Sequence, residues 1–222
     1  MTIRLALLRH AATGWNETGR VQGRSDIELS AAGRTQARSW ILPAPIDQWR
    51  RISSPLARAR ETASLLTPES DVTIESRLTE MNWGAWEGRT LADLRTELGD
   101  EMIRREVAGL DFRAPGGESP REVQARVKPW LAELAGGNQD VLAITHKGVV
   151  RAIYALATGW DMTAREPDRF RYPALHLFRV GRDGAVVLKR FNIPLDGGPQ
   201  NTPLTTGPSS FRGGATKPKN PS

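Results

Sequence analysis

The chain has no cysteine, which excludes disulfides, thiolate zinc sites and every thiol nucleophile at once. Histidine is scarce as well, with three in 222 residues and no cluster of ligand-type side chains around any of them, so neither a metal nor another cofactor is indicated. No apolar run approaches the roughly 20 residues that span a bilayer. The first ten residues do not read as a secretory signal, because Arg4 interrupts and Arg9 stops the apolar stretch from Ile3 to Leu8. A cytoplasmic protein without a membrane partner is the expectation. Dense basic runs are missing too. The formal net charge is +6, from 31 basic and 25 acidic residues, but bases and acids alternate in stretches such as RRISSPLARARE, as on a solvated Arg-rich surface. A nucleic-acid partner is therefore not expected, whereas a small anionic ligand remains compatible with the surplus.

What is present suits one domain: 39% hydrophobic and 25% charged residues, with no internal repeat. From about residue 197 the character changes. GGPQNTPLTTGPSSFRGGATKPKNPS is rich in Gly, Pro, Ser and Thr, and has three basic residues and no acid. Residues 1–196 are expected to form the domain, and 197–222 a disordered tail.

Within the domain, apolar β-type runs alternate with helical patterns. Strands are expected at Ile3–Leu8, near Arg51–Ser53, at Val72–Glu75, Val141–Thr145, Leu175–Val180 and Ala185–Phe191. Ser54-Pro55 reads as an N-cap and N1 proline ahead of LARARETASLL, and Ser119-Pro120-Arg121-Glu122 as a capping box. A third helix runs from Val149 to a glycine C-cap at Gly159. This alternation predicts an α/β fold: a three-layer α/β/α sandwich with a mostly parallel sheet of about six strands.

The chemistry lies just past the ends of the strands. Arg9-His10 ends the first; Ser53-Ser54 leads the second into a helix carrying Arg58; Glu80 comes shortly after the third; His146 follows VLAIT. Ligands of open α/β sheets bind at the carboxyl ends of the strands, and helix starts there favour anions. Four separate segments thus aim two His, two Arg and one Glu at one edge.

Taken in order, these segments resemble the histidine phosphatase superfamily, the phosphoglycerate-mutase-like or RHG-motif family, from Ile3 to about Asn192. RHAATGWN, RVQGRSDIELSAAG, SSPLARARETA, EMNWGAWEG, PGGES and THKGVVRA match its successive motifs. Two positions depart: Ala11 and Lys147 each stand where the family has glycine. PGGES, and the short stretch leading to it from EMNWGAWEG, are similar to the phosphatase branch. The resemblance implies a metal-independent phosphomonoesterase acting on a small phosphorylated metabolite. His10 would be the nucleophile that forms a phosphohistidine. Arg9, Arg58 and His146 would surround the phosphoryl oxygens, Asn16 would add a donor, and Gln22 with the Gly23 backbone would line the substrate side. Glu80 would be the general acid. Phosphoglycerate mutase-type phosphotransfer and a non-catalytic phosphate-binding module are the alternatives. Oligomeric state has no signature in the sequence.

Other polar and aromatic residues read as structural. Arg60 and Glu87 fit surface positions, His176 alternates like a strand residue, and Arg126 and Trp130 pack or solvate a helix. Trp83 and Trp86, on either side of Gly84, fit a pocket wall or ordinary packing equally well.

Overall fold

Two runs that are apolar on both faces belong at the centre of a parallel sheet covered on both sides, and that is where the computed structural model has them. It describes residues 2–68 and 70–196; the expected tail, 197–222, lies outside the described residues. In chain order the elements are β1 (Ile3–Arg9), α1 (Gly14–Glu17), α2 (Ala31–Ser39), β2 (Arg50–Ser53), α3 (Ala57–Leu66), β3 (Val72–Ile74), α4 (Leu91–Leu98), α5 (Asp100–Glu106), α6 (Pro120–Ala135), β4 (Val141–Thr145), α7 (Lys147–Thr158), β5 (Leu175–Val180) and β6 (Val186–Ile193). The six strands form one sheet in the order β3-β2-β4-β1-β5-β6. Pairing is parallel from β3 through β1 and antiparallel on both sides of β5, which is the mostly parallel sheet expected.

Alternation along the strands builds the layers. Leu5 and Leu7 of β1 and Val141 and Ala143 of β4 face one core, with Val127, Leu131, Val149 and Ile153 from α6 and α7. Ala6, Leu8, Leu142 and Ile144 face the other, with Ala37 of α2 and Ala59 and Ala63 of α3. A third small cluster, Trp86, Leu94, Met102 and Ala114, holds α4 and α5 beside the sheet edge.

The capping box at Ser119 forms in both directions with Glu122, and Gly159 closes α7 in the left-handed region at φ 73°. The N-cap expected at Ser54 does not form. Ser54 N still donates to Ile144 O (3.0 Å), prolonging the β2 ladder, so α3 starts only at Ala57, with Leu56 at the cap and no side-chain hydrogen bond there.

Candidate active site

Sheet register brings the two histidines together. β1 and β4 pair in parallel with Arg9 opposite Thr145, so the next residues, His10 and His146, leave the sheet side by side with ring centroids 5.1 Å apart. His10 N donates to Thr145 O (2.9 Å), which fixes the start of the loop. The His10 ring nitrogen Nδ1 lies 2.8 Å from Ala11 O. A carbonyl only accepts, so Nδ1 carries the proton and Nε2 keeps its lone pair. Burial first, then the charges of Arg9 and Arg58, hold the His10 pKa well below the usual histidine value. The imidazole is therefore neutral.

Ala11 fits without the conformational freedom of a glycine. Its backbone stays out of the left-handed region, and its methyl is buried in the α2/α3 core. Its N–H donates to Thr62 Oγ1 (3.1 Å), whose own proton goes to Arg58 O (2.6 Å).

Ser54, expected as a helix cap, has a different task. Its hydroxyl accepts from Leu56 N (3.3 Å) and lies 2.7 Å from His146 Nε2. Burial, followed by His10, Arg58 and Arg9, depresses the His146 pKa strongly. Arg58 is fully buried and binds the 23–25 loop, donating to Ser25 O (2.8 Å) and Gly23 O (2.7 Å). Arg60 is exposed, as expected.

Glu80 arrives from the other side. Its carboxyl is 6% exposed and accepts from Met81 N (2.8 Å) and Gly148 N (3.0 Å). Burial raises its pKa, against those two N–H groups and the charges of Arg58 and Arg9. A Cβ on Gly148 would lie 2.4 Å from Glu80 Oε1, so this glycine is required by the acid it touches. The loop before Glu80 is tied down by Arg126, which donates to Arg77 O and Thr79 O and pairs with Glu118 (2.8 Å), and by Thr145 Oγ1 on Leu78 O (2.8 Å). Arg126 thus packs rather than solvates, and Trp130 is buried in the α6/α7 core.

A cavity of about 470 Å³ opens over this edge. Arg9, His10, Asn16, Gln22 and Glu80 line it, whereas Arg58 and His146 are fully buried behind its wall and Gly23 is also off it. Asn16 Oδ1 is engaged by Thr13, as half of the capping box that starts α1, and Gln22 Oε1 accepts from Thr13 Oγ1 (2.9 Å). Gly23 acts through close packing, since a Cβ there would lie 1.9 Å from Glu87 Oε1. Trp83 lines the cavity; Trp86 packs against α4 and α5. His176 is buried among Phe170, Tyr172 and Phe191, and burial lowers its pKa to about 4. Its structural reading stands.

Glu87 is not the surface residue expected. It is half-buried and accepts from Arg24 N (2.8 Å), Ser25 N (2.8 Å), Ser25 Oγ (2.5 Å) and Trp83 N (3.2 Å). Glu87 therefore anchors the loop that Arg58 grips from the other side.

Arg9 Nε, Arg58 Nε and His146 Nδ1 are buried without a hydrogen-bond partner. An unpaired guanidinium N–H costs about 1–3 kcal/mol in a protein interior, and an oxyanion is its natural complement. The Arg9 guanidinium also lies 5.1 Å over the Tyr172 ring. A neutral imidazole with a free lone pair, arginines that cannot lose their charge, and a carboxyl held toward its protonated form are parts suited to displacement at phosphorus. Among the described residues no group of three or more His, Asp or Glu could hold a metal ion, and no helix is long and apolar enough to cross a membrane.

Comparison with known proteins adds names to this geometry. The family model described as "Histidine phosphatase superfamily (branch 1)" matches residues 5–193. Glucosyl-3-phosphoglycerate phosphatase of Mycobacterium tuberculosis is 36% identical over 169 residues, covering 68% of this chain and 74% of that protein. A probable phosphoglycerate mutase of Salmonella paratyphi C is 36% identical over 177 residues, 76% of this chain and 81% of its own length. A solved mycobacterial glucosyl-3-phosphoglycerate phosphatase, in complex with VO3, superposes with a TM-score of 0.72 at 27% identity, covering 86% of this chain and 99% of that one.

Proposed function

The chain belongs to the histidine phosphatase superfamily, and from that premise we propose that it hydrolyses a small phosphomonoester through a phosphohistidine on His10. The observation that carries this reading is the His10 tautomer. With Nδ1–H donated to Ala11 O and protonation disfavoured by burial and by Arg9 and Arg58, Nε2 is a ready nucleophile. Nε2 forms the bond to phosphorus, the phosphorus–oxygen bond to the leaving group breaks, and the Glu80 proton goes to the departing oxygen. In the second step the Glu80 carboxylate takes a proton from water, the water oxygen bonds to phosphorus, and the P–N bond breaks to give inorganic phosphate and free His10. Arg9 from the cavity wall, and Arg58 and His146 from just behind it, surround the phosphoryl oxygens, the two arginines compensating their charge, and Asn16 adds a donor from the cavity wall. Gln22 lines the substrate side, and Gly23 shapes it from off the cavity through its close packing on Glu87. The short stretch between EMNWGAWEG and PGGES supports hydrolysis over mutase-type transfer. A cytoplasmic location belongs to the same reading.

Hydrolysis of a generic aryl phosphate is measured from pH 5 to about 9 in chelator, for the wild type and His10→Ala. Turnover by the wild type alone, with a radiolabelled phosphoryl group trapped on the wild-type protein by rapid acid-free quench, supports the mechanism. Equal turnover by the two proteins, or a profile still rising above pH 8, overturns it.

A further inference from the structure

The cavity is larger than a phosphoryl group requires; about 470 Å³ is in the range that takes a whole small ligand. Its floor is His10, 6% exposed, and its rim includes the exposed Lys147. Lys147 is the first residue of α7, and Arg151 lies one turn further along the same face. Both line the cavity, and Arg20 lines it as well.

The charges of this wall do not cancel. Arg151 is paired with Glu166 (3.2 Å) and stacked 4.7 Å over the Trp160 ring. Glu106, the lining acid besides Glu80, is taken by Arg95 (2.6 Å). Glu80 is held toward its neutral form. Arg20 donates to a backbone carbonyl, Gly88 O (2.8 Å), not to a carboxylate. Lys147 has no ion pair and no side-chain hydrogen bond among the described residues. An ammonium set among cations, over a site already furnished with arginine, lacks a counter-charge that the protein itself does not supply.

Resting on the phosphomonoesterase reading, we propose that Lys147, with Arg20 at the same rim, binds a second anionic group on the substrate, so that the preferred substrates are phosphomonoesters whose leaving group carries a carboxylate or a second phosphoryl group. The floor takes the phosphoryl group that is removed, and Lys147 takes the anion displaced from it toward solvent. The apolar wall of Trp83, Leu91, Phe112 and Met162 accommodates the carbon frame between them. Lysine suits this position because its flexible stem lets a point charge follow anions of different shape.

Two matched pairs of probes test this: 3-phosphoglycerate against glycerol 3-phosphate, for a carboxylate, and fructose 1,6-bisphosphate against fructose 6-phosphate, for a second phosphoryl group. For each, kcat/KM is measured on the wild type and Lys147→Gln, and affinity by calorimetry on the His10→Ala protein with and without Lys147→Gln. In at least one pair the probe with the second anionic group is favoured by about 10-fold or more, the size of one charge-assisted hydrogen bond, and Lys147→Gln collapses that ratio to within about threefold. The pair that responds identifies the anion. No preference in either pair, or equal losses on both members so that the ratio survives, overturns the proposal; the second result puts Lys147 on the transferred phosphoryl group. If the ratio responds in calorimetry but no probe is hydrolysed, the hydrolase reading fails while the anion site stands.

Discussion

The stretch EMNWGAWEG begins and ends near two carboxylates that burial treats alike and hydrogen bonding separates. Burial is the largest influence on both Glu80 and Glu87, and in both it favours the protonated acid. Glu80 is met by two backbone N–H groups and stays above the usual carboxylate range, even with Arg58 and Arg9 pulling it down. Glu87 is met by three backbone N–H groups and the Ser25 hydroxyl, and falls below that range. Donors decide the outcome where burial does not. One acid can hold a proton to give away; the other is a fixed negative tie for the 23–25 loop.

Replacing the proton donor has the largest effect. Glu80→Gln lowers kcat on an alkyl phosphate by about 10²–10⁴-fold, the range of general acid catalysis. A nitrophenyl phosphate, whose leaving group needs no proton, loses far less; equal losses on the two esters remove Glu80 from the acid role. The same variant reads the pKa shift as stability. A carboxyl raised in the fold contributes stability while protonated and loses it as pH climbs from the unfolded value, about 4.3, through the folded one. Glu80→Gln therefore gains in Tm relative to wild type between pH 5 and pH 8. A pH-independent difference in Tm contradicts the shift.

Gly148→Ala attacks the same acid without touching its chemistry. The new Cβ would lie 2.4 Å from Glu80 Oε1, so the carboxyl must move off the Gly148 N–H. A displacement of about 1 Å in a catalytic group costs up to about 10²-fold. Loss of a donor to the carboxylate also moves the alkaline limb of the pH–rate profile upward. An unchanged limb, with activity retained, shows that Glu80 is not held by this contact.

Glu87→Gln breaks the other half of the comparison. It weakens the anchor of the loop that Arg58 grips through Gly23 O and Ser25 O, with a stability loss of about 1–3 kcal/mol. KM rises several-fold, while both limbs of the kcat profile stay in place. A shifted alkaline limb would mean that Glu87, not Glu80, supplies the proton.

The sequence makes the frame legible because the frame is local. Ile3–Leu8 and Val141–Thr145 are strand-length apolar runs, and a doubly covered parallel strand has no other appearance. His10, Arg58, Glu80 and His146 stand out because each closely follows or opens an element at one sheet edge. What stays hidden depends on register and long-range contact. Ser54 has the composition of a cap, and only the alignment of β2 with β4 gives its hydroxyl to His146. Glu87 looks like a surface acid until the distant residues Arg24 and Ser25 donate to it. Lys147 is conspicuous as the departure in THKGVVRA, yet the glycine beside it, Gly148, is the one the acid cannot do without. That requirement comes from a side chain on another loop, which no local pattern encodes.

Ser25→Ala is the mildest change and isolates one donor. It removes the 2.5 Å hydroxyl contact to Glu87 and leaves the three backbone N–H groups in place. The expected loss is about 1–2 kcal/mol at pH 7, one hydrogen bond to a charged acceptor, with kcat/KM within about threefold of wild type. Its pH dependence is opposite in sign to that of Glu80. A carboxyl depressed in the fold contributes stability above its unfolded value and loses it as pH falls through the folded one. Ser25→Ala makes that depression smaller, so it destabilises at pH 7 and the difference from wild type shrinks as pH drops below about 4. Urea unfolding of the two proteins at pH 7 and pH 3.5 reads it directly. A gap that stays constant with pH would mean that the hydroxyl supports the loop without acting on the Glu87 charge, and that the backbone N–H groups alone set the contrast between the two acids.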